Sequence, residues 1–139
     1  MAKRNIPRPY ANGTLTESAF FGKIRSAIRR IEWKPKRDYK RSKTIITPVL
    51  DEKGEQKKFL TGRRKGKPRT IQMFECEECR NMFKGSEVQV DHIIPCGSLR
   101  RWEDIVPFIQ RCLCEEGFQI LCKKCHLYKT NKERKNNKK

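Results

Sequence analysis

The residues able to do chemistry lie in the second half of the chain, in one ordered pattern. It runs Cys76-x2-Cys79, then Val90-Asp91-His92-Ile93-Ile94-Pro95, then Leu121-Cys122-x2-Cys125-His126-x2-Lys129-Thr130. Two Cys-x2-Cys pairs supply the four thiolates of a closed tetrahedral zinc shell. The 42 residues between Cys79 and Cys122 exceed the spacing of a simple finger, but they need only loop out. The only two histidines of the chain fall inside this frame. Hydrolysis of a phosphodiester requires a base to activate water and a hard cation to neutralise charge on the phosphate. Asp91 and His92 are neighbours, so on an extended strand their side chains point opposite ways. One can then face a metal and the other a substrate. His126 directly follows a thiolate, which gives a second metal ligand a rigid position. Cys96, Cys112 and Cys114 are left over and read as small buried or half-buried residues, not as ligands or nucleophiles.

These groups need elements to hold them. Ile71–Glu75 reads as a strand leading into the first cysteine pair. Residues 87–91 alternate and suit a strand with the Asp-His pair at its end. Leu99–Cys114 is helical in parts, with Pro107 in the first turn of its second piece. Phe118–Leu121 reads as another strand, Cys122–Arg134 as a helix, and the last five residues as a frayed basic tail. Upstream, residues 1–13 read as a flexible arm. Thr14 with Glu17 offers a capping box. Leu15, Phe20, Phe21, Ile24, Ala27, Ile28 and Ile31 then form a stripe, which predicts a helix over about 15–32, ended before Pro35. Residues 34–70 are the least legible, with a short strand at 44–50, a turn at 51–55, and a basic loop at 63–69. A disordered linker is the alternative for this stretch.

Composition sets the surroundings of the site. The net charge of the 139 residues is +18, and only 35% of them are hydrophobic. A core that thin calls for a staple, which zinc would provide. Residues 1–69 carry 21 Lys/Arg against 6 Asp/Glu, whereas residues 70–139 carry 13 against 10. The basic first half suits a polyanion, through counterion release. Two domains are therefore expected, a basic DNA-binding extension over 1–70 and a zinc-stapled domain over 71–139. No apolar run reaches membrane-spanning length and no secretory signal is visible, so a cytoplasmic protein without a membrane partner is expected. In a reducing compartment paired cysteines read as metal ligands.

Over about residues 74–134 the chain resembles the HNH endonucleases, whose ββα-metal core is two strands, a loop and a helix. The resemblance rests on the Asp-His and Cys-His motifs above and on Lys129-Thr130-x2-Glu133. Pro95-Cys96-Gly97-Ser98-Leu99, Phe108-Ile109-Gln110-Arg111 and the segment Phe21–Arg30 are similar to small HNH proteins of tailed phages. It implies an α+β fold: a small ββα-metal (HNH) core stapled by a four-cysteine zinc site, with a basic helical N-terminal extension. It further implies that His92 is the general base and that Asp91 and His126 hold a catalytic Mg2+ or Mn2+. Cys76, Cys79, Cys122 and Cys125 would hold structural Zn2+. Double-stranded DNA is the implied substrate, gripped by Arg25, Arg29, Arg30, Arg63, Arg64, Lys65, Lys67, Arg69 and Lys129, with a 5′-phosphate and a 3′-hydroxyl as products. If phage-encoded, the protein would work in the host cytoplasm. One position departs from the family: Gly117 stands where its middle Asn, which braces the loop holding the base, is expected. Two other readings stay open. One is a catalytically weak zinc-stapled DNA-binding accessory, such as an assistant of a phage terminase. The other is a homing endonuclease.

Overall fold

A computed structural model describes residues 5–113 and 117–138. The chain is mixed α+β, with two small sheets. It divides into two compact units, residues 1–38 with 92–118, and residues 39–91 with 119–139. Each unit takes residues from both sides of the boundary expected at residue 70.

The first unit is built on helix α1 (Glu17–Ile31) and helix α3 (Ile105–Cys112). The N-cap of α1 is Thr16, whose hydroxyl accepts from Ala19 N at 3.2 Å. Thr14, the cap expected from sequence, instead donates its hydroxyl to Ala11 O at 2.7 Å. The reason is local: Ala11, Asn12 and Gly13 all take left-handed φ, so the turn before the helix closes on itself and moves the start by two residues. That turn also brings Tyr10 back to pair with Leu15 and to stack on Phe20, ring centroids 4.2 Å apart. The expected flexible arm is thus packed from Tyr10 onward. Phe21, Ile28, Leu99, Phe108 and Cys112 form the buried core, flanked by Phe20, Ile24, Cys96 and Ile105. Ile31, predicted on the same stripe, is 62% exposed.

Helix α2 (Trp33–Ser42) follows almost without a break, and Lys36 N donates to Glu32 O at 3.1 Å. The first helix ends before Pro35, as expected, but a second helix follows and contains it. Pro35 sits in the first turn of α2, where no intrahelical N–H is required of it.

In the second unit, β1 (Ile45–Pro48), β2 (Thr70–Glu75) and β3 (Met82–Lys84) form an antiparallel sheet in that order. Register pairs Ile45 with Met73 and Phe74 with Phe83. Pro48 ends the edge strand β1, where its missing N–H is tolerated. Between β1 and β2 the chain is not an irregular linker. Leu50 pairs with Gln56 and Lys58 with Pro68, and Asp51 Oδ1 accepts from Lys53 N and Glu55 N, closing the predicted turn. The basic run 63–69 lies exposed at the tip of this ribbon.

Strand β4 (Val88–His92) pairs with β5 (Phe118–Cys122), and helix α4 (Lys123–Asn136) follows directly. Phe74, Val88 and Ile120 make one buried cluster, and Cys76, Leu121 and Cys122 another. Among the described residues, no helix is long and apolar enough to cross a membrane.

Candidate functional site

The four paired cysteines converge. One Sγ from each of Cys76, Cys79, Cys122 and Cys125 lies within 4.8 Å of the other three. Local backbone geometry explains how. After β2 the chain turns tightly: Cys76 N donates to Asn81 O at 2.9 Å and Arg80 N to Cys76 O at 2.8 Å. Arg80 takes φ +63°, a left-handed position that turns the knuckle. Cys122 is the N-cap of α4, its sulfur accepting from Cys125 N at 3.5 Å, and Cys122 N donates to Cys76 Sγ at 3.3 Å. Glu77 ties the first knuckle to β5. Its N–H reaches Ile120 O at 2.9 Å, and its carboxylate accepts from Ile120 N and from the Tyr39 hydroxyl, the latter at 2.9 Å. Sequence reading missed Glu77, because a carboxylate between two ligands carries no distinctive spacing.

The electrostatics suit a soft cation. Burial raises the Cys76 thiol, but N–H donors from Cys122, Cys79 and Glu78 outweigh it and hold the group at about 7. Cys125 is pushed up to about 12, by burial first and then by the neighbouring sulfurs. Four thiols so close cannot all ionise against one another. A divalent cation among them removes that conflict, and its binding releases protons. The donor set, four sulfurs with N–H donors to two of them, fits zinc.

Asp91 and His126 are also brought together, with Asp91 Oδ1 3.8 Å from His126 Nε2. Both are part-exposed, at 20% and 33% of their side chains. Gln119 Nε2 reaches Asp91 Oδ2 at 3.5 Å, and Thr130 Oγ1 donates to His126 O at 2.9 Å. Lys129 also pairs with Asp91 Oδ2 and lies 3.3 Å from Glu133. Lys129 was expected as a phosphate contact and is engaged by these two carboxylates. The Asp91–His126 pair offers one oxygen and one ring nitrogen to a hard cation, which would keep most of its shell as water. Lys129 is a cation and cannot be a ligand, so the fit here is sparser than at the cysteines.

His92 points the other way, as the strand period requires. It is 8% exposed and belongs to the first unit. Its ring lies 5.3 Å from that of Phe118. Its Nε2 is 3.1 Å from Cys112 O and 3.3 Å from Glu32 Oε2. Glu32, Cys96 and Cys112, none of them singled out as functional from sequence, bring their ligand atoms within 4.8 Å of a ring nitrogen of His92 and of one another. The one available signal was Glu32 itself, a lone carboxylate at the end of a strongly basic helix. Cys114 lies outside the described residues. Gly117 contributes only backbone, its carbonyl accepting from Ile93 N at 2.7 Å.

Arg25, Arg29 and Arg30 are exposed on α1, and Arg63, Arg64, Lys65, Lys67 and Arg69 are exposed on the ribbon tip. The two groups belong to different units. Comparison with protein-family models, curated proteins and solved structures found no match.

Proposed function

We propose that the chain is a metal-dependent DNA endonuclease of the HNH type. The observation that supports it best is the Asp91–His126 pair at 3.8 Å, with His126 next to Cys125 of the four-cysteine cluster in the first turn of α4. In this reading Cys76, Cys79, Cys122 and Cys125 hold zinc, which fixes the start of α4 and so the position of His126. A Mg2+ or Mn2+ ion carried by Asp91 and His126 would supply charge neutralisation at the phosphate. His92 accepts a proton from water as an O–H bond breaks. The water oxygen forms the new bond to phosphorus, and O3′ leaves with the electron pair of the broken P–O bond and takes up a proton from solvent. Exposed arginines on α1 and the 63–69 run hold the DNA backbone, with the steep salt dependence of phosphate contacts. A phage origin and a terminase partner belong to this proposal as well.

The test is cleavage of supercoiled plasmid with Mg2+ or Mn2+ by zinc-loaded protein. Wild type is expected to give nicked or linear DNA. His92→Ala and Asp91→Asn are expected to lower the rate by roughly 10²-fold or more while retaining zinc. Binding without cleavage at either metal would reject the enzyme. It would then favour a zinc-stapled DNA-binding accessory, a second reading for which the burial of His92 and the glycine at 117 already speak.

A further inference from the structure

Between β1 and β2 the chain makes a two-stranded ribbon. Phe59 N donates to Lys67 O at 3.0 Å, Gly66 N to Phe59 O at 2.8 Å, and Arg69 N to Lys57 O at 2.6 Å. Its base is anchored just after β1, where Val49 N donates to Arg69 O at 3.0 Å and Lys57 N to Val49 O at 2.8 Å. Every residue from 57 to 69 is exposed except Phe59. Seven of these residues are Lys or Arg and none is acidic. A two-stranded ribbon solvated on both faces has no core of its own, so packing does not explain this sequence.

One apolar side chain interrupts the charge. Leu60 is 82% exposed, the most exposed large apolar residue among those described. It is the first residue beyond the last backbone pair, Phe59 with Gly66. Phe59 beside it is half-buried, with the Arg64 guanidinium 5.8 Å from its ring centre. Gly62 and Gly66 take φ +78° and +81°, and a Cβ at either would meet nothing within 4 Å, so the loop is slim on both sides of Arg63, Arg64 and Lys65. A lone exposed leucine is ordinary on a protein surface. Here it stands where a polyanion must approach, and it gains nothing from phosphate or water. In duplex DNA the apolar element within reach of a phosphate-bound arm is the stack of base pairs. Proteins that enter the minor groove insert leucine or a similar wedge between base steps and bend the duplex by about 20–90°. The negative potential of that groove also draws lysine and arginine.

We propose that residues 57–69 form an arm that enters the minor groove of double-stranded DNA, with Leu60 as a wedge between base pairs and the surrounding lysines and arginines on the flanking phosphates. This role rests on double-stranded DNA being the partner, as in the function proposed above, and it holds for nuclease and accessory alike. Bound DNA is then kinked at the Leu60 step, and the arm favours deformable steps such as TA or CA/TG over a base code.

The experiment uses full-length, zinc-loaded protein without Mg2+ or Mn2+, so that bound DNA stays intact. The probe is a duplex of about 30 base pairs with a central TA step and a dye at each end. Affinity is read by titration at several salt concentrations, and bending by energy transfer between the dyes. Wild type is expected to bind and to raise the transfer. Leu60→Ala, an exposed change that keeps every charge, should bind within roughly tenfold of wild type and leave the transfer near that of free DNA. Leu60→Met, which keeps an apolar wedge, should keep the bend. Arg63→Gln should bind more weakly and reduce the slope of log K against log salt by about 1, with the bend retained. DNA bound straight by wild type overturns the wedge, and so does a bend that Leu60→Ala keeps. Tighter binding of an RNA duplex of the same sequence overturns the choice of DNA. Cleavage is read separately, after Mg2+ is added. Bent DNA that is not cut rejects the nuclease and upholds the arm. Straight DNA that is cut rejects the arm and upholds the nuclease. Absence of binding at low salt rejects both.

Discussion

The two units solve the same problem, a small core in a highly charged chain, by different chemistry. The first fills its interior with large side chains: Phe21, Leu99 and Phe108 are each 2% exposed or less, and Tyr10, Phe20 and Trp102 stack around them. The second buries few residues of that size, chiefly Phe74, Val88, Ile120 and Leu121. In their place stand four thiols aimed at one point. A metal held there would deliver in one atom what apolar burial delivers over many. Asp91 and His126 thus share a unit with the cysteine cluster, whereas His92 belongs to the unit with the aromatic core.

Zinc removal is the strongest way to break this contrast. Structural zinc sites contribute roughly 10–16 kcal/mol of apparent binding free energy at neutral pH. Chelation, or Cys122→Ser, is expected to abolish amide-exchange protection across β2, β5 and α4. The Phe21–Phe108 core should lose far less. Equal loss in both units would show that the thiols staple the whole chain. In the opposite direction, Phe108→Ala removes a fully buried ring and should cost about 3–5 kcal/mol of stability. Zinc per chain is expected to stay constant in that variant. A fall in zinc content by native mass spectrometry would contradict the division of labour.

A smaller effect sharpens the picture of the second unit. Tyr39 is raised to about 12, by burial first and then by its hydrogen bond to Glu77 and the charge there. Its folded value exceeds the unfolded value near 10. The contribution is therefore fully present below about pH 10 and is lost as pH rises toward about 12. Wild type should lose stability over that window more steeply than Tyr39→Phe, measured by denaturant melts at fixed zinc. Parallel curves would mean that the Tyr39–Glu77 bond does not brace the knuckle.

Much of the second half was legible because its signals are short-range. The strand expected at 87–91 from alternation is β4, the runs read as strands at 71–75 and 118–121 fall in β2 and β5, and the helix at 105–112 tolerates Pro107 in its first turn as expected. The start of α1 was misplaced because three left-handed residues before it compete with the Thr14 cap. Within residues 34–70 the short strand and the turn at 51–55 were read from sequence, with a disordered linker as the alternative. What was missed is helix α2 and the backbone pairing of Leu50 with Gln56 and Lys58 with Pro68, which hydrophobic periodicity does not register. Of the site, the convergence of the four cysteines was legible from their spacing, and Asp91 lies 3.8 Å from His126. The burial of His92 against Glu32, and the capture of Lys129 by Asp91 and Glu133, were not legible.

By itself, the sequence determined which residues could ligate and where strand parity would send them. Adjacent Asp91 and His92 must part on an extended strand, and a Cys-x2-Cys-His run must place His126 beside a thiolate, whatever the rest of the chain does. Only the tertiary structure decided what each meets on arrival. Glu32 reaches His92 across 60 positions, and that contact depends on where α1 ends and how α3 presents the Cys112 carbonyl. Local pattern fixes direction along the chain. Partnership between distant side chains is fixed by packing, and no spacing rule encodes it.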